Sequence, residues 1–343
     1  MKTHAIAALA IMLSSPCVNG AETYTNPIID VSLPDPTVLR DDDGIYYMTG
    51  TENIRNLGLF SSPDLVNWTL TGTIFKDGDK RPDTPIWAPE LCRINGRYVL
   101  FYCSNPDASD TFQAYLGYAV ADSITGPWHD RGKLFDGYQA ECRDTIDPFY
   151  FHDNGKHYLF WGSTNNMWVM EISVDDEINI SYDLSKKVQT AGKAVEGTEV
   201  YKRGDWYYMF ASRGSYAWIT YQVVVGRSKN VYGPYYTREG IPFLAGGDLK
   251  APEMNLAKAA ALTSGNDRFT GTGHNAPVIT DGVGNTWFIC HGHRKGKELD
   301  MVRLPLLDRL LWDAQGWPYL EGGSPTPAEH YAPAFPLDHN YDN

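Results

Sequence analysis

The chain has no glycine-rich phosphate loop, no heptad seam and no low-complexity tract. Nucleotide-binding α/β folds, coiled coils and disordered linkers therefore find no support in it. Positive charge is scarce: 29 Lys and Arg stand against 42 Asp and Glu, giving a formal net charge of −13 and a pI near 5.1. Such a chain repels phosphate backbones, which argues against nucleic acid and leaves a neutral ligand as the simpler partner. Cysteine is sparse and its spacings match no zinc pattern. Cys92, Cys103, Cys142 and Cys290 are expected as buried free thiols with at most one bridge. Long apolar runs are missing as well. The run Ala5 to Leu13 is too short for a bilayer, which needs roughly 20 apolar residues, and no other stretch is a candidate span. It follows Lys2 and His4 and precedes small residues near Val18-Asn19-Gly20. Residues 1–20 read as a secretory signal peptide cleaved after Gly20 or Ala21, and the protein is expected to be exported, periplasmic or extracellular. Cys17 raises a lipoprotein alternative, but Pro16 stands where that processing uses a small residue.

Aromatic residues are plentiful, at 13% of the chain, and they fall into a repeat. Asp35 opens an apolar run that reaches a turn at Asp43-Gly44 and then Ile45-Tyr46-Tyr47-Met48. Trp87-Ala88-Pro89 leads to Asn95-Gly96 and Arg97-Tyr98-Val99-Leu100-Phe101. Asp147-Pro148 leads to Asn154-Gly155 and His157-Tyr158-Leu159-Phe160. Glu196-Gly197 leads to Arg203-Gly204 and Trp206-Tyr207-Tyr208-Met209-Phe210. His274-Asn275-Ala276-Pro277 leads to Gly284-Asn285 and Thr286-Trp287-Phe288-Ile289. A leading residue, a strand, a glycine turn and an aromatic strand recur in every copy. Repeats of strand pairs with this period read as propeller blades, so the expected fold is all-β, a five-bladed β-propeller over residues 21–343.

Each repeat has a second half, a strand pair closed by a turn with an aromatic stop, as in Thr125-Gly126-Pro127-Trp128 and Tyr232-Gly233-Pro234-Tyr235. Closing a propeller brings the chain ends into one blade, so Tyr24 to Ile29 is expected to run beside the last repeat. Residues 175–195 read as a connection between blades. Ala257 to Leu262 reads as a short helix in a long loop, and the chain after Gly322 as an extended proline-rich tail.

The innermost strand of every blade borders the central axis. The five leaders Asp35, Trp87, Asp147, Glu196 and His274 are therefore expected to converge at one end of it. Taken singly, each has a plainer reading. Asp before Pro is a common turn pair, a lone Glu is a solvated carboxylate, a Trp is core, and a His is a hydrogen-bonded core imidazole. Together they make a pocket of three carboxylates, an aromatic face and an imidazole. That set suits glycoside hydrolysis, in which one carboxylate takes a proton from water and a carboxylic acid gives one to the leaving oxygen. Crowded carboxyls cannot all ionise cheaply, so one is expected to keep its proton near neutral pH. The pair His291-Gly292-His293 puts two imidazoles on one strand face and reads as pocket lining or surface. The runs Asp41-Asp42-Asp43 and Asp175-Asp176-Glu177 read as solvated turns.

The ordered set of pieces resembles glycoside hydrolase family 43, five-bladed propellers acting on arabinofuranosides and xylosides. The pieces are Asp35-Pro36-Thr37-Val38, Trp87-Ala88-Pro89-Glu90, Ile146-Asp147-Pro148, Glu196-Gly197 ahead of Val200-Tyr201-Lys202-Arg203, Gly273-His274-Asn275 and Trp312-Asp313 with Gly316-Trp317-Pro318. They span nearly all of the chain after the leader. The resemblance implies that Asp35 is the general base and Glu196 the general acid. It makes Asp147 the residue that orients that acid and raises its pKa, and it implies inversion at the anomeric carbon. It implies a calcium ion near His274, the position matching the metal-side histidine of the arabinan-cutting branch. Trp87, Asn275 and Arg294 are the residues expected to touch substrate. The sequence departs from the pattern after the acid, where Gly197-Thr198-Glu199 replaces the usual proline or alanine-proline. Glu199 is thus a rival, and on a regular strand only one of Glu196 and Glu199 can face the axis.

The expected function is an exported, inverting hydrolase of α-L-arabinofuranosyl bonds in plant cell-wall polysaccharide, a neutral oligo- or polysaccharide substrate. A β-xylosidase or galactan-active relative is the nearest alternative. A non-catalytic sugar-binding propeller needs the aromatic walls but not all three carboxylates, and a protein-interaction propeller needs neither.

Overall fold

The computed structural model describes residues 23–248, 250, 255–321, 325–326 and 328–334. The signal-peptide reading of residues 1–20 and the lipoprotein alternative at Cys17 lie outside the described residues. Four-stranded antiparallel sheets form blade 1 (Thr37–Arg40, Tyr46–Thr49, Gly58–Ser62, Thr69–Thr73) and blade 2 (Trp87–Ile94, Arg97–Ser104, Tyr115–Ala121, His129–Asp136). Blade 3 consists of Phe149–Asp153, Lys156–Trp161 and Met167–Val174, whose outer edge pairs with both Ile180–Tyr182 and Val188–Ala191. The segment expected to connect blades is thus part of a blade. Blade 4 holds Val195–Arg203, Trp206–Arg213 and Gln222–Ser228. Blade 5 holds Phe269–Gly273 and Ile279–Thr280 on its inside, then Thr286–Arg294, Leu304–Trp312 and Pro318–Leu320. The helix expected over residues 257–262 shrinks to one 3-10 turn, Leu256–Lys258, because Ala261 leaves it to bridge Val224 of blade 4.

The second strand of each blade explains why the aromatic runs are apolar at every position. Side chains alternate faces along a strand, and here both faces are covered by neighbouring blades. Leu100 packs into the cluster between blades 1 and 2, and Phe101 into that between blades 2 and 3. Leu159 and Phe160 divide in the same way between the clusters on either side of blade 3. Met209 and Phe210 do so for blade 4, and Phe288 and Ile289 for blade 5. A cluster also joins blade 5 to blade 1 through Trp287, Leu307, Met48 and Phe60, so the ring closes. Each fully buried large side chain contributes about 1.5–3 kcal/mol by leaving water.

The N-terminal segment fastens the closure. The Tyr24 hydroxyl and Asn26 Nδ2 donate to the Leu307 carbonyl at 2.8 and 2.9 Å, and Leu307 N–H donates back to Asn26 Oδ1 at 2.8 Å. Thr23 pairs with Tyr331 and Tyr24 with His330. Cys92, Cys103, Cys142 and Cys290 are buried free thiols, as expected.

Hairpin turns define the end of the ring away from the leaders. Asn95-Gly96 and Asn154-Gly155 are two-residue loops with φ of 50°, 79°, 52° and 75°. That is the mirror-image turn that suits right-twisted strands and that Asn-Gly adopts most readily.

Candidate active site

At the opposite end one residue of every blade enters the left-handed region. These are Asp35 (φ 52°), Ala88 (37°), Asp147 (55°), Gly197 (60°) and His274 (46°). Four carry side chains, for which this conformation is rare and costs of order 1–3 kcal/mol each. The twist re-aims the neighbouring side chains, and bulges between Trp87 and Glu90, Glu196 and Glu199, and Thr270 and Gly273 accompany it. Gly197 is required twice over: by its φ, and because a Cβ would sit 2.9 Å from His274 Cγ.

A cavity of about 320 Å³ opens here, and all five leaders line it. Thr51, Ala88, Ile146, Tyr216, Met301 and Arg303 complete its wall. Hydrogen bonds stitch each blade to the next around it. Ala88 N–H donates to Thr51 Oγ1 at 2.8 Å, and Asp147 N–H to Cys103 Sγ at 3.4 Å. Gly197 N–H donates to Asp147 Oδ2 at 3.1 Å, and His274 N–H to Ser212 Oγ at 2.7 Å. Asp35 N–H closes the circle on His291 Nδ1 at 3.0 Å.

The carboxyls differ sharply in their surroundings. Burial pushes the Asp35 carboxyl up, but Arg303 and His274 outweigh it and hold Asp35 well below the usual carboxylate range. Arg303 Nη1 lies 2.9 Å and His274 Nδ1 3.2 Å from Asp35 Oδ1, while Thr51 donates to Oδ2 at 2.5 Å. Asp147 goes the other way. Burial, offset in part by His274 and reinforced by the charges of Glu196 and Asp35, raises it to about 7. Glu196 accepts from Tyr221 OH at 2.7 Å on Oε1 and from Ser163 Oγ at 2.6 Å on Oε2. His274 is lowered by burial, but Asp35, Asp147 and Glu196 override this and raise it to about 9, so it is a cation at neutral pH. His291 is kept neutral by burial and Arg303. Its 3.3 Å approach to Asp35 Oδ1 is therefore no ion pair; it serves as acceptor for the Asp35 N–H.

Several expectations are corrected. Arg294 is not at the pocket: it ends its strand and its Nη2 donates to Asp30 in an exposed ion pair at 2.7 Å. Arg303, nine residues later, is the arginine on Asp35. Asn275 is fully buried and bonds to the Ala276 carbonyl at 3.0 Å rather than lining the cavity. His291 and His293 are both fully buried, neither of them at the surface. Glu196 lines the cavity and Glu199 does not, yet both side chains turn to the axis because the bulge between them resets the alternation. Burial and the charge of Glu90 raise Glu199 well above its usual range. Glu90 and Glu199 belong to blades on either side of blade 3, so they meet only across the axis, deeper than the cavity. Sequence reasoning missed Arg303, Thr51, Tyr216, Ser163 and Tyr221. All five sit in the segments between strands, outside the repeated leader.

Calcium takes six to eight oxygen ligands. Among the described residues no group of three or more His, Cys, Asp or Glu side chains is arranged to hold a metal ion, and the protonated His274 offers its Nδ1 to Asp35. No step below passes through a metal ion.

Three carboxyls at the mouth of a five-bladed propeller, with Asp35 and Asp147 shifted in opposite directions, define a glycoside hydrolase site. Residues 24–318 match the family model described as Glycosyl hydrolases family 43, and the chain belongs to that family. It is 26% identical over 323 residues to the extracellular exo-α-(1→5)-L-arabinofuranosidase ArbA of Cellvibrio japonicus, covering 85% of this chain and 87% of that protein. It is 27% identical to the extracellular endo-α-(1→5)-L-arabinanase 1 of Bacillus subtilis, over 83% of this chain and 87% of that one. A putative β-xylosidase of Escherichia coli is 29% identical over 87% of this chain, which spans only 57% of that protein's length. The solved α-L-arabinanase of Cellvibrio cellulosa in complex with arabinohexaose superposes with a TM-score of 0.70 at 23% identity, covering 85% of this chain and 96% of that one, and shares the fold.

Proposed function

We propose that this glycoside hydrolase is exported and cleaves α-L-arabinofuranosyl bonds of plant cell-wall arabinan or arabinose side chains, with inversion. The observation that carries it is the split among the pocket carboxyls: Asp35 is held ionised by Arg303 and His274, while Asp147 keeps a proton to about pH 7 beside Glu196. In this reading Asp35 takes a proton from a water that attacks the anomeric carbon. Glu196 gives a proton to the bridging oxygen as the bond breaks, and the leaving sugar departs as an alcohol. Asp147 fixes the peptide that carries Glu196 through its bond to Gly197 N–H. Trp87 offers a flat apolar face to the sugar ring. An inverting pair needs roughly 6.5–9.5 Å between base and acid to admit the water, and blades 1 and 4, which supply them, are separated by blade 5 on the short side of the ring.

Arabinan is favoured because relatives matched over more than four-fifths of both chains carry arabinan-acting names, and both of those are called extracellular. No helix among the described residues is long and apolar enough to cross a membrane. The E. coli relative supports a second reading, a β-xylosidase on the same site. Product analysis on linear arabinan, aryl arabinofuranoside and aryl xyloside separates them. Arabinose release is expected; xylose alone selects the second reading, and no release from a folded sample overturns both.

A further inference from the structure

We infer that the loops Tyr216–Ile219 and Leu299–Val302 form a stacking platform for the leaving-group side of a neutral sugar chain, beyond the sugar held in the pocket. The inference rests on the glycosidase reading above. Among the described residues fifteen large apolar side chains are exposed, and six of them stand in these two short loops: Tyr216, Trp218, Ile219, Leu299, Met301 and Val302. Scattered exposed apolar residues are ordinary, but a contiguous group beside a cavity marks a binding surface. The group is contiguous with the cavity, because Tyr216 and Met301 line it.

The two loops are held as one surface. The buried His293 ring stands between them, with Nε2 2.8 Å from the Tyr216 carbonyl and Nδ1 3.1 Å from the Val302 carbonyl. The Arg303 guanidinium, bonded to Asp35, lies 4.9 Å from the centre of the Tyr216 ring. A backbone carbonyl, that of Trp218, packs beside Gly271, where a Cβ would come within 2.7 Å of it.

The position selects the occupant. Glu196 pairs with Ser212 on the strand that runs into the 214–220 loop, and Tyr221, which ends that loop, donates to Glu196. The oxygen that Glu196 protonates belongs to the leaving sugar, so that sugar lies against this loop. A cavity of about 320 Å³ is at the small end for ligand pockets and takes one or two sugars. Further units of a chain must lie outside it, and the apolar face of a sugar ring packs well on Tyr and Trp. The six apolar side chains, two of them aromatic, match a neutral chain, and the one charge among them, Asp300, lies 4.0 Å from Lys297 Nζ.

The test measures binding in the Glu196→Gln variant by calorimetry, using linear α-1,5-arabino-oligosaccharides and β-1,4-xylo-oligosaccharides of two to six sugars. Affinity is expected to rise about ten-fold between two and four sugars of the preferred series. Trp218→Ala in the same background removes most of that gain, and Leu299→Ser, at a site 81% exposed and safe for folding, removes part of it. Tyr319→Ala, on the outermost strand of blade 5, leaves the gain intact. Affinity independent of length, or a full gain retained in both loop variants, overturns the platform. If the length-dependent gain is present but the wild type cleaves no oligosaccharide of either series, the glycosidase reading fails and the platform stands.

Discussion

The two ends of the ring use the same backbone conformation for opposite reasons. At the hairpin end the left-handed positions include Asn95, Gly96, Asn154, Gly155, Gly204 and Gly284, and a Cβ added at any of those glycines meets nothing within 4 Å. These residues choose the conformation themselves, in open space. At the pocket end it is imposed on Asp35, Ala88, Asp147 and His274, three of them titratable, and on a glycine pressed against His274. The blade cores hold that end in place against its local preference. Strain and chemistry therefore coincide at one end of the molecule, and ease and solvent at the other.

The sharpest way to break this comparison is to alter side chains at both ends. Asp35→Asn and Glu196→Gln are expected to lower kcat by about 10³-fold or more with the fold retained. Asn154→Ala at the hairpin end should cost about 1 kcal/mol of stability and leave kcat within about two-fold. Denaturant titration and initial rates on the same samples check both.

Backbone substitutions test it next. Gly197→Ala should destabilise by about 2 kcal/mol and lower kcat/KM about 100-fold, because the Cβ must displace His274. Gly204→Ala carries only the left-handed penalty, about 1 kcal/mol, with unchanged kinetics. Equal kinetic effects at the two glycines would erase the distinction between the ends.

A finer test concerns the charge on Asp35. Arg303→Ala leaves the burial of Asp35 less opposed, so its carboxyl rises and the acidic limb of the pH–kcat/KM profile moves to higher pH. The wild-type limb should lie below the usual carboxylate range. A limb that stays put in the variant would show that Asp35 does not set it.

The smallest effect is a stability shift. In the fold Asp147 holds its proton to about 7, against an ordinary value of 3.8. The unfolded chain releases that proton first, so this contribution to stability is full below the ordinary value and is lost as pH rises through about 7. Asp147→Asn should therefore raise Tm by a few degrees at pH 8, about 3 °C, and by less at pH 4. Thermal scans at the two values decide it, and an equal change at both would contradict the burial of an ionised Asp147.

What could be read in the chain follows from periodicity. The leader-to-turn spacing located Asp35, Trp87, Asp147, Glu196 and His274, and all five line one cavity, because identical blades deliver equivalent positions to a shared axis. Residues outside the repeat had no such signal. Arg294 and Arg303 are both basic residues late in blade 5, and only their partners, Asp30 for Arg294 and Asp35 for Arg303, show which one turns inward. Glu90 and Glu199 face the axis because a bulge shifts the alternation after each leader, and a bulge leaves no mark in composition. The strands at 180–182 and 188–191 were unreadable for a related reason. They are edge strands of three and four residues, in which Ile180 and Tyr182 turn toward the core around an exposed Ser181 and only Thr190 and Ala191 are buried, too short a run to show a period.

The fastening of blade 5 to blade 1 sets an order on when the molecule becomes competent. Asp35 belongs to the first blade made, yet His274, His291 and Arg303, which tune its charge and hold its backbone, emerge more than two hundred residues later. A nascent chain carries Asp35 long before it carries that carboxyl's environment. Reactivity is thus withheld from every partial product of translation and arrives in a single step, when the last blade docks against the first.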